Sequence, residues 1–249
     1  MAYSKNRWHK ADAAVGQDKR VAYKMERMED GISAAHETLQ YATNVNGEFR
    51  WGNSTANYCA IEPDGTLEFN GAAMVWEDLR FDANSLKAAG IKDPAYSTVL
   101  GGMRAYQFSP TTLEELYFAV QFPHSWSGES VFPHVHWFVT TATTNVVCRW
   151  WLEYSWANIG STLSAPTTVY ASTAYPGTTV LEAKKHYITS FAEIAPTTNQ
   201  DSFSSMMLCR LFRDSTVAAD NMDSFANLLE FDIHFSVKKL GTRNELNDT

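Results

Sequence analysis

Cysteine and charge are both scarce in this sequence. Its three cysteines, Cys59, Cys148 and Cys209, are far apart and form no CxxC pair, so nothing indicates a disulfide framework. Cys148 and Cys209 lie in strand-like runs and are expected to be buried as small apolar residues. Charged residues make up only 19% of the 249 residues and hydrophobic residues 45%, a balance typical of a folded, globular chain.

Long apolar runs and basic stripes are also missing. No stretch approaches the roughly 18 apolar residues of a membrane span, and no signal-peptide core is visible. We therefore expect a soluble protein made in a cytoplasm, without a membrane partner. The net charge of −8 argues against nucleic-acid binding, although residues 1–29 carry seven Lys or Arg against four acids and form a basic arm.

Sequence motifs of common enzymes are lacking as well. The chain has no GxSxG elbow, no P-loop, no HExxH segment and no dinucleotide fingerprint. The sequence therefore predicts a protein that is not an enzyme and needs no cofactor.

The first 48 residues differ from the rest. Residues 18–43 show no strand alternation, and their apolar positions are separated alternately by four and three residues. This heptad pattern is typical of a helix that self-associates or docks on a partner, although a helix lying on its own domain would show it too. The predicted contact positions are Val21, Met25, Met28, Ile32 and Leu39.

From residue 49 onward the pattern is that of β-strands. In residues 228–237, Leu229, Phe231, Ile233, Phe235 and Val237 are expected to face one side of a sheet. Similar strand-like segments are residues 114–122, 131–141, 145–157, 184–194 and 202–213.

The stretches between these segments contain turn and loop residues. Residues 159–179 and 195–200 are rich in Thr, Ser and Pro and are interpreted as loops, Gly101–Gly102 as a turn, and residues 83–90 as a short helix. No βαβ spacing is present. The sequence thus predicts a mainly β fold: an antiparallel, jelly-roll-like β-sandwich at 49–240, an N-terminal α-helix within 1–48, and a polar tail at 241–249.

Two histidines stand one residue apart in GESVFPHVHW (128–137). Residues two apart in a strand share a face, so His134 and His136 point the same way. Gly128, His134 and His136 also match the first half of the motif of cupins, which are jelly rolls with a metal inside the barrel. The motif next requires a glutamate, but Thr140 and Thr141 stand at the positions where it is expected. We therefore predict no metal, and His134 and His136 are only weak candidates for metal ligands. A third ligand would have to come from His124, His186 or His234.

Aromatic residues cluster in RWWLEYSW (149–156). Alternation places Trp150, Tyr154 and Trp156 on one face of a strand and Trp151 on the other. An outward Trp151 could contact a neighbouring subunit or stack on a sugar ring.

Three segments together resemble a set of tailed-bacteriophage proteins described mostly as virion-associated: VWEDLRFD (75–82), YFAVQFPHSWSGESVFPHVHW (117–137) and RWWLEYSWANIG (149–160). The resemblance covers roughly residues 70–160 and 225–240. It implies a structural component of a phage virion and no catalytic residue.

The residues and the resemblance lead to one functional prediction. We expect a virion structural protein, such as a head appendage, a neck protein or a tail fibre, that assembles as a homo-oligomer, most simply a trimer. Its helix would dock on capsid, portal or tail proteins. The alternatives are a carbohydrate-binding module for host-surface glycans and a cupin-like metalloenzyme.

Overall fold

The computed structural model describes residues 42–45, 47–52 and 54–242 and consists mainly of antiparallel β-strands. The fourteen strands are β1 (Ala42–Val45), β2 (Glu48–Gly52), β3 (Tyr58–Ile61), β4 (Leu67–Asn70), β5 (Val75–Asp82), β6 (Ala95–Leu100), β7 (Met103–Phe108), β8 (Leu113–Gln121), β9 (Phe132–Phe138), β10 (Thr143–Ala157), β11 (Thr167–Leu181), β12 (Tyr187–Ser190), β13 (Met206–Asp214) and β14 (Ala226–Val237).

The strands form three sheets. A small sheet has the order β1-β2-β3-β4, and a four-stranded sheet has the order β11-β10-β13-β8. The third sheet has the order β12-β9-β14-β7-β6, and β5 pairs with β14 from Glu230 to Val237. The small sheet is joined to the end of β14, because the Phe69 N–H donates to the carbonyl oxygen of Lys238.

The two larger sheets pack face to face around a single hydrophobic core. Alternation explains which side chains reach it: Val135 on β9 and Leu152 on β10 are fully buried, and their neighbours in sequence are not. Trp137 on β9 is also fully buried. Aromatic rings join the sheets, since Trp150 lies 4.8 Å from Phe108 and 6.4 Å from Trp137 between ring centroids. Cys148 and Cys209 are buried in this core as expected.

Several sequence predictions are confirmed. The six strand-like segments correspond to β8, β9, β10, β12, β13 and β14. Gly101–Gly102 is the turn between β6 and β7. Trp150 and Trp156 face the core, whereas Trp151 faces outward.

Three sequence predictions are wrong. Residues 167–179, part of the segment 159–179 that was interpreted as a loop, lie in β11. This is an edge strand, in which Thr has high β-propensity and Pro176 is tolerated. The segment 83–90 is helical only at Ala83–Ser85, as a single 3-10 turn. Leu229 is 40% exposed, and Leu228 is buried in its place.

The predicted N-terminal helix, with Val21, Met25, Met28, Ile32 and Leu39, lies outside the described residues apart from its last two positions, Ala42 and Thr43. These two belong to β1, so strand structure begins before residue 49. Within the described part of the chain, no helix is long and apolar enough to cross a membrane.

Candidate functional site

Histidines and acidic residues collect on the outer face of the six-stranded sheet, which we call the histidine face (Asp78, His134, His136, His186, Asp232 and His234). His134 and His136 share this face because their neighbours Val135 and Trp137 are buried on the other side of β9. The pair therefore points away from the space between the sheets. Cupins bind their metal inside the barrel, so these histidines do not form a cupin-like inner site.

Asp232 is the centre of the histidine face. Nδ1 of His134 donates to its Oδ1 at 2.9 Å, and Nε2 of His136 donates to its Oδ2 at 2.6 Å. The strand register explains the geometry, because Asp232 on β14 lies directly opposite His134 on β9. The two rings cover the carboxylate, whose side chain is only 5% exposed.

The other histidines occupy different positions around this centre. Nε2 of His186 lies 2.8 Å from Nδ1 of His136, and one of these two nitrogens donates to the other. Nδ1 of His234 donates a hydrogen bond to Oδ1 of Asp78 at 2.6 Å, and the ring centroid of His234 is 6.0 Å from that of His134. His124 lies apart and bonds to Ser204.

The histidine face does not have the geometry of a metal site. In the ranges that the structure describes, no group of three or more His, Cys, Asp or Glu side chains is arranged to hold a metal ion. The ring nitrogens of His134 and His136 that face Asp232 are engaged in hydrogen bonds with it.

Hydrogen bonding sets the charges of the histidine face. Burial alone would raise the pKa of the Asp232 carboxyl, but the hydrogen bonds from His134 and His136 outweigh it and lower this pKa to about 2. The hydrogen bond to Asp232 raises the pKa of His136 above its ordinary value, against the opposing effect of burial. The cluster thus favours an ionised carboxylate beside a protonated imidazole.

A second surface lies on the outer face of the four-stranded sheet, and we call it the aromatic face (Arg149, Trp151, Tyr170, Arg210 and Phe212). Trp151 on β10 stands opposite Tyr170 on β11 and Phe212 on β13, so the three rings form one row across three strands. The rings of Trp151 and Phe212 are nearly parallel, with 12° between their planes and 5.5 Å between centroids.

Two arginines lie over this row but differ in their partners. The Arg210 guanidinium is 4.2 Å from the centre of the Phe212 ring and forms ion pairs with Glu115 and Glu153. The Arg149 guanidinium is 4.5 Å from the centre of the Tyr170 ring. Tyr170 remains 59% exposed, so this end of the row is open to solvent.

A third surface is one side of the small sheet, the apolar face (Phe49, Trp51, Ile61 and Leu67). Phe49, Ile61 and Leu67 stand opposite one another on β2, β3 and β4. Trp51 follows on the same side of β2 and is 69% exposed. Four large apolar side chains therefore share one solvent-facing surface.

Comparisons with known proteins reveal only distant structural similarities. No protein-family model and no curated protein matches the sequence. The chain is similar to a structure of infectious bursal disease virus, Gx strain, with TM-score 0.32 and 10% identity over 74% of this chain and 36% of that one. It is also similar to the module TmCBM61 in complex with β-1,4-galactotriose, with TM-score 0.27 and 12% identity over 64% and 86% of the two chains. Similarities of this size carry no argument about function.

Sequence reasoning found Trp151, His134 and His136, and it named His186 and His234 only as candidate third metal ligands. Asp232, Arg149 and Tyr170 are not singled out by any sequence motif. Both surfaces depend on which strands are neighbours, and a single sequence does not specify that. The one available signal was period-two spacing in 228–237 and 149–156, which placed Asp232 and Arg149 on outward faces.

Proposed function

We propose that the protein is a non-enzymatic structural subunit of a tailed-phage virion that assembles as a homo-oligomer. The apolar face carries the proposal. Soluble monomers rarely expose contiguous large apolar surfaces, and those that do generally use them for binding other proteins. Phe49, Trp51, Ile61 and Leu67 are neighbours on three paired strands, so they form one patch rather than scattered residues.

The position of the apolar face in the chain fits assembly. The small sheet begins at Ala42, shortly after the heptad positions Val21 to Leu39. A trimeric helix and the apolar face would then form one continuous contact between subunits or with capsid, portal or tail proteins.

Strand order supports the viral part of the proposal. If β5 and β8–β14 are lettered B to I in chain order, the larger sheets run G-D-I-B and F-E-H-C, with the β6–β7 hairpin inserted between B and C. We infer that the sandwich is a jelly roll, because this is the order that two Greek keys produce. Jelly rolls are common in viral capsid and lectin domains.

Oligomerisation is tested by light scattering on the full chain at micromolar concentration. We expect an oligomer for the wild type and dissociation for the double variant Phe49→Ser/Trp51→Ser. Ile91→Ser is the matched control, because Ile91 is also a large, exposed apolar residue but lies in a loop. A monomeric wild type that is also missing, by mass spectrometry, from purified particles of the encoding phage would refute the proposal.

A second candidate function is carbohydrate binding, and the aromatic face favours it. Trp151 faces outward on the sheet, and the neighbouring Tyr170 ring is mostly exposed. Flat, exposed aromatic rings with polar neighbours are suited to the apolar faces of sugar rings. Loss of glycan binding in Trp151→Ala, with an unchanged circular dichroism spectrum, would support this function.

A further inference from the structure

The two arginines of the aromatic face differ in one respect that bears on the ligand. Arg210 is neutralised, since Glu115 and Glu153 both pair with it. Within the described part of the chain, no carboxylate forms an ion pair with Arg149; its Nε donates to the Ser172 hydroxyl at 2.7 Å. Among the described residues, Arg149 therefore has no carboxylate partner for its positive charge on the outer face of an acidic protein.

The aromatic rings surround this charge. The Arg149 guanidinium is 4.5 Å from the centroid of Tyr170 and 5.8 Å from that of Trp151. Contact with the two rings holds the planar group in place, which lowers the entropy lost when it binds a ligand. An anion that reached Arg149 would lie beside the exposed ring of Tyr170.

We propose that Arg149, Trp151 and Tyr170 bind a sugar that carries a carboxylate, such as a uronic acid or a sialic acid. The inference rests on the candidate carbohydrate-binding function and specifies its ligand class. The sugar ring would pack on Tyr170 and Trp151, and its carboxylate would accept two parallel hydrogen bonds from Arg149.

The geometry favours a sugar over an acidic peptide. An extended peptide that added a strand to this sheet would bind the backbone edge of β11, whereas the side chains of Arg149, Trp151 and Tyr170 project from the face of the sheet. Hydroxyl groups of Thr168 and Ser172 lie on the same side of β11 as Tyr170 and can bond to sugar hydroxyls. The formal net charge of −8 repels polyanions in general, so binding has to come from this local arrangement.

Isothermal titration calorimetry of the full chain tests the proposal with matched probes. Trigalacturonate carries the carboxylates, and its methyl ester is the same sugar without the charges. We expect trigalacturonate to bind at least about tenfold more tightly than the ester, and Arg149→Gln to abolish the difference. Tyr170→Ala, a change at an exposed position, should weaken both. Arg104→Gln is the control, because Arg104 also lies over a tyrosine ring, that of Tyr96, on another sheet.

The outcomes distinguish the acidic ligand class from carbohydrate binding in general. Equal affinity for the acid and its ester, or an unchanged Arg149→Gln variant, overturns the acidic ligand class and leaves carbohydrate binding in place. Absence of binding to trigalacturonate, its ester, 3′-sialyllactose and lactose overturns both. Equal affinity for hexaglutamate, lost in Arg149→Gln, replaces the sugar by an acidic peptide and overturns the inference.

Discussion

Arg213 on β13 and Asp220 in the loop that follows form a two-bond ion pair inside the protein. The distance is 2.8 Å between Nε and Oδ2 and 2.9 Å between the second guanidinium nitrogen and Oδ1. Both side chains are fully buried. The same guanidinium donates to the carbonyl oxygens of Met222 and Ser224, so the pair fixes the loop before β14 against the core.

Removing one partner of this pair should be strongly destabilising. Asp220→Ala leaves a buried guanidinium without its counter-charge, and we expect a loss of about 3–5 kcal/mol in the free energy of unfolding, measured with urea. Glu153→Ala is the control, because its pair with Arg210 is partly exposed; its loss should be about 1 kcal/mol or less. Equal losses would contradict the role of burial.

Two buried tryptophans allow a test of hydrogen-bond satisfaction. Nε1 of Trp156 donates to the Ser205 hydroxyl at 3.0 Å, whereas the buried Nε1 of Trp150 has no partner among the residues described. Trp156→Phe removes this hydrogen bond and leaves the Ser205 hydroxyl without it. Trp150→Phe instead removes a buried N–H that has no acceptor among the residues described. We expect Trp156→Phe to be the more destabilising by about 1 kcal/mol in urea denaturation. The same loss in both variants would be evidence against this explanation.

Gly128, just before the paired histidines, has a specific steric role. It has a φ of +82°, and a Cβ there would lie 2.5 Å from the carbonyl oxygen of Asp201. Gly160 has a similar φ of +79° but open space around it. Gly160→Ala should therefore cost only the backbone strain, about 1–2 kcal/mol. Gly128→Ala should cost about 1–3 kcal/mol more, because the backbone at Asp201 has to move. Equal changes in thermal midpoint would show that the contact is unimportant.

Local patterns predicted much of the fold. Period-two spacing placed Phe231, Ile233 and Phe235 in the core, because side-chain direction in a strand depends only on position along it. Leu229 is the exception. A β-bulge between Leu228 and Glu230 interrupts the register with β9 and reverses the alternation before it. Bulges depend on the partner strand, and the spacing within one segment does not show them.

The candidate surfaces were less predictable than the strands. His136 and Asp232 are 96 residues apart in the chain, and they meet only because β14 inserts between β9 and β5. Residues 159–179 were interpreted as a loop because Thr, Ser and Pro are common there, yet β11 begins at Thr167 and provides Tyr170. An edge strand tolerates both residue types, so composition alone did not distinguish it from a loop.

The histidine face should make stability depend on pH in two opposite directions. The pKa of Asp232 is lowered to about 2 in the folded chain from 3.8, so its contribution is complete above pH 3.8 and is lost as the pH falls through about 2. The pKa of His136 is raised, so its contribution to stability is complete below pH 6.5 and is lost as the pH rises through the pKa of the folded chain.

The difference in unfolding free energy between wild type and Asp232→Asn, measured with urea from pH 2 to 9, should therefore be largest between about pH 4 and 6.5 and decline on both sides. Glu129→Gln, a change at an exposed position, is the control and should show no such maximum. A difference for Asp232→Asn that is constant across this range would mean that the bonds to His134 and His136 do not depend on charge.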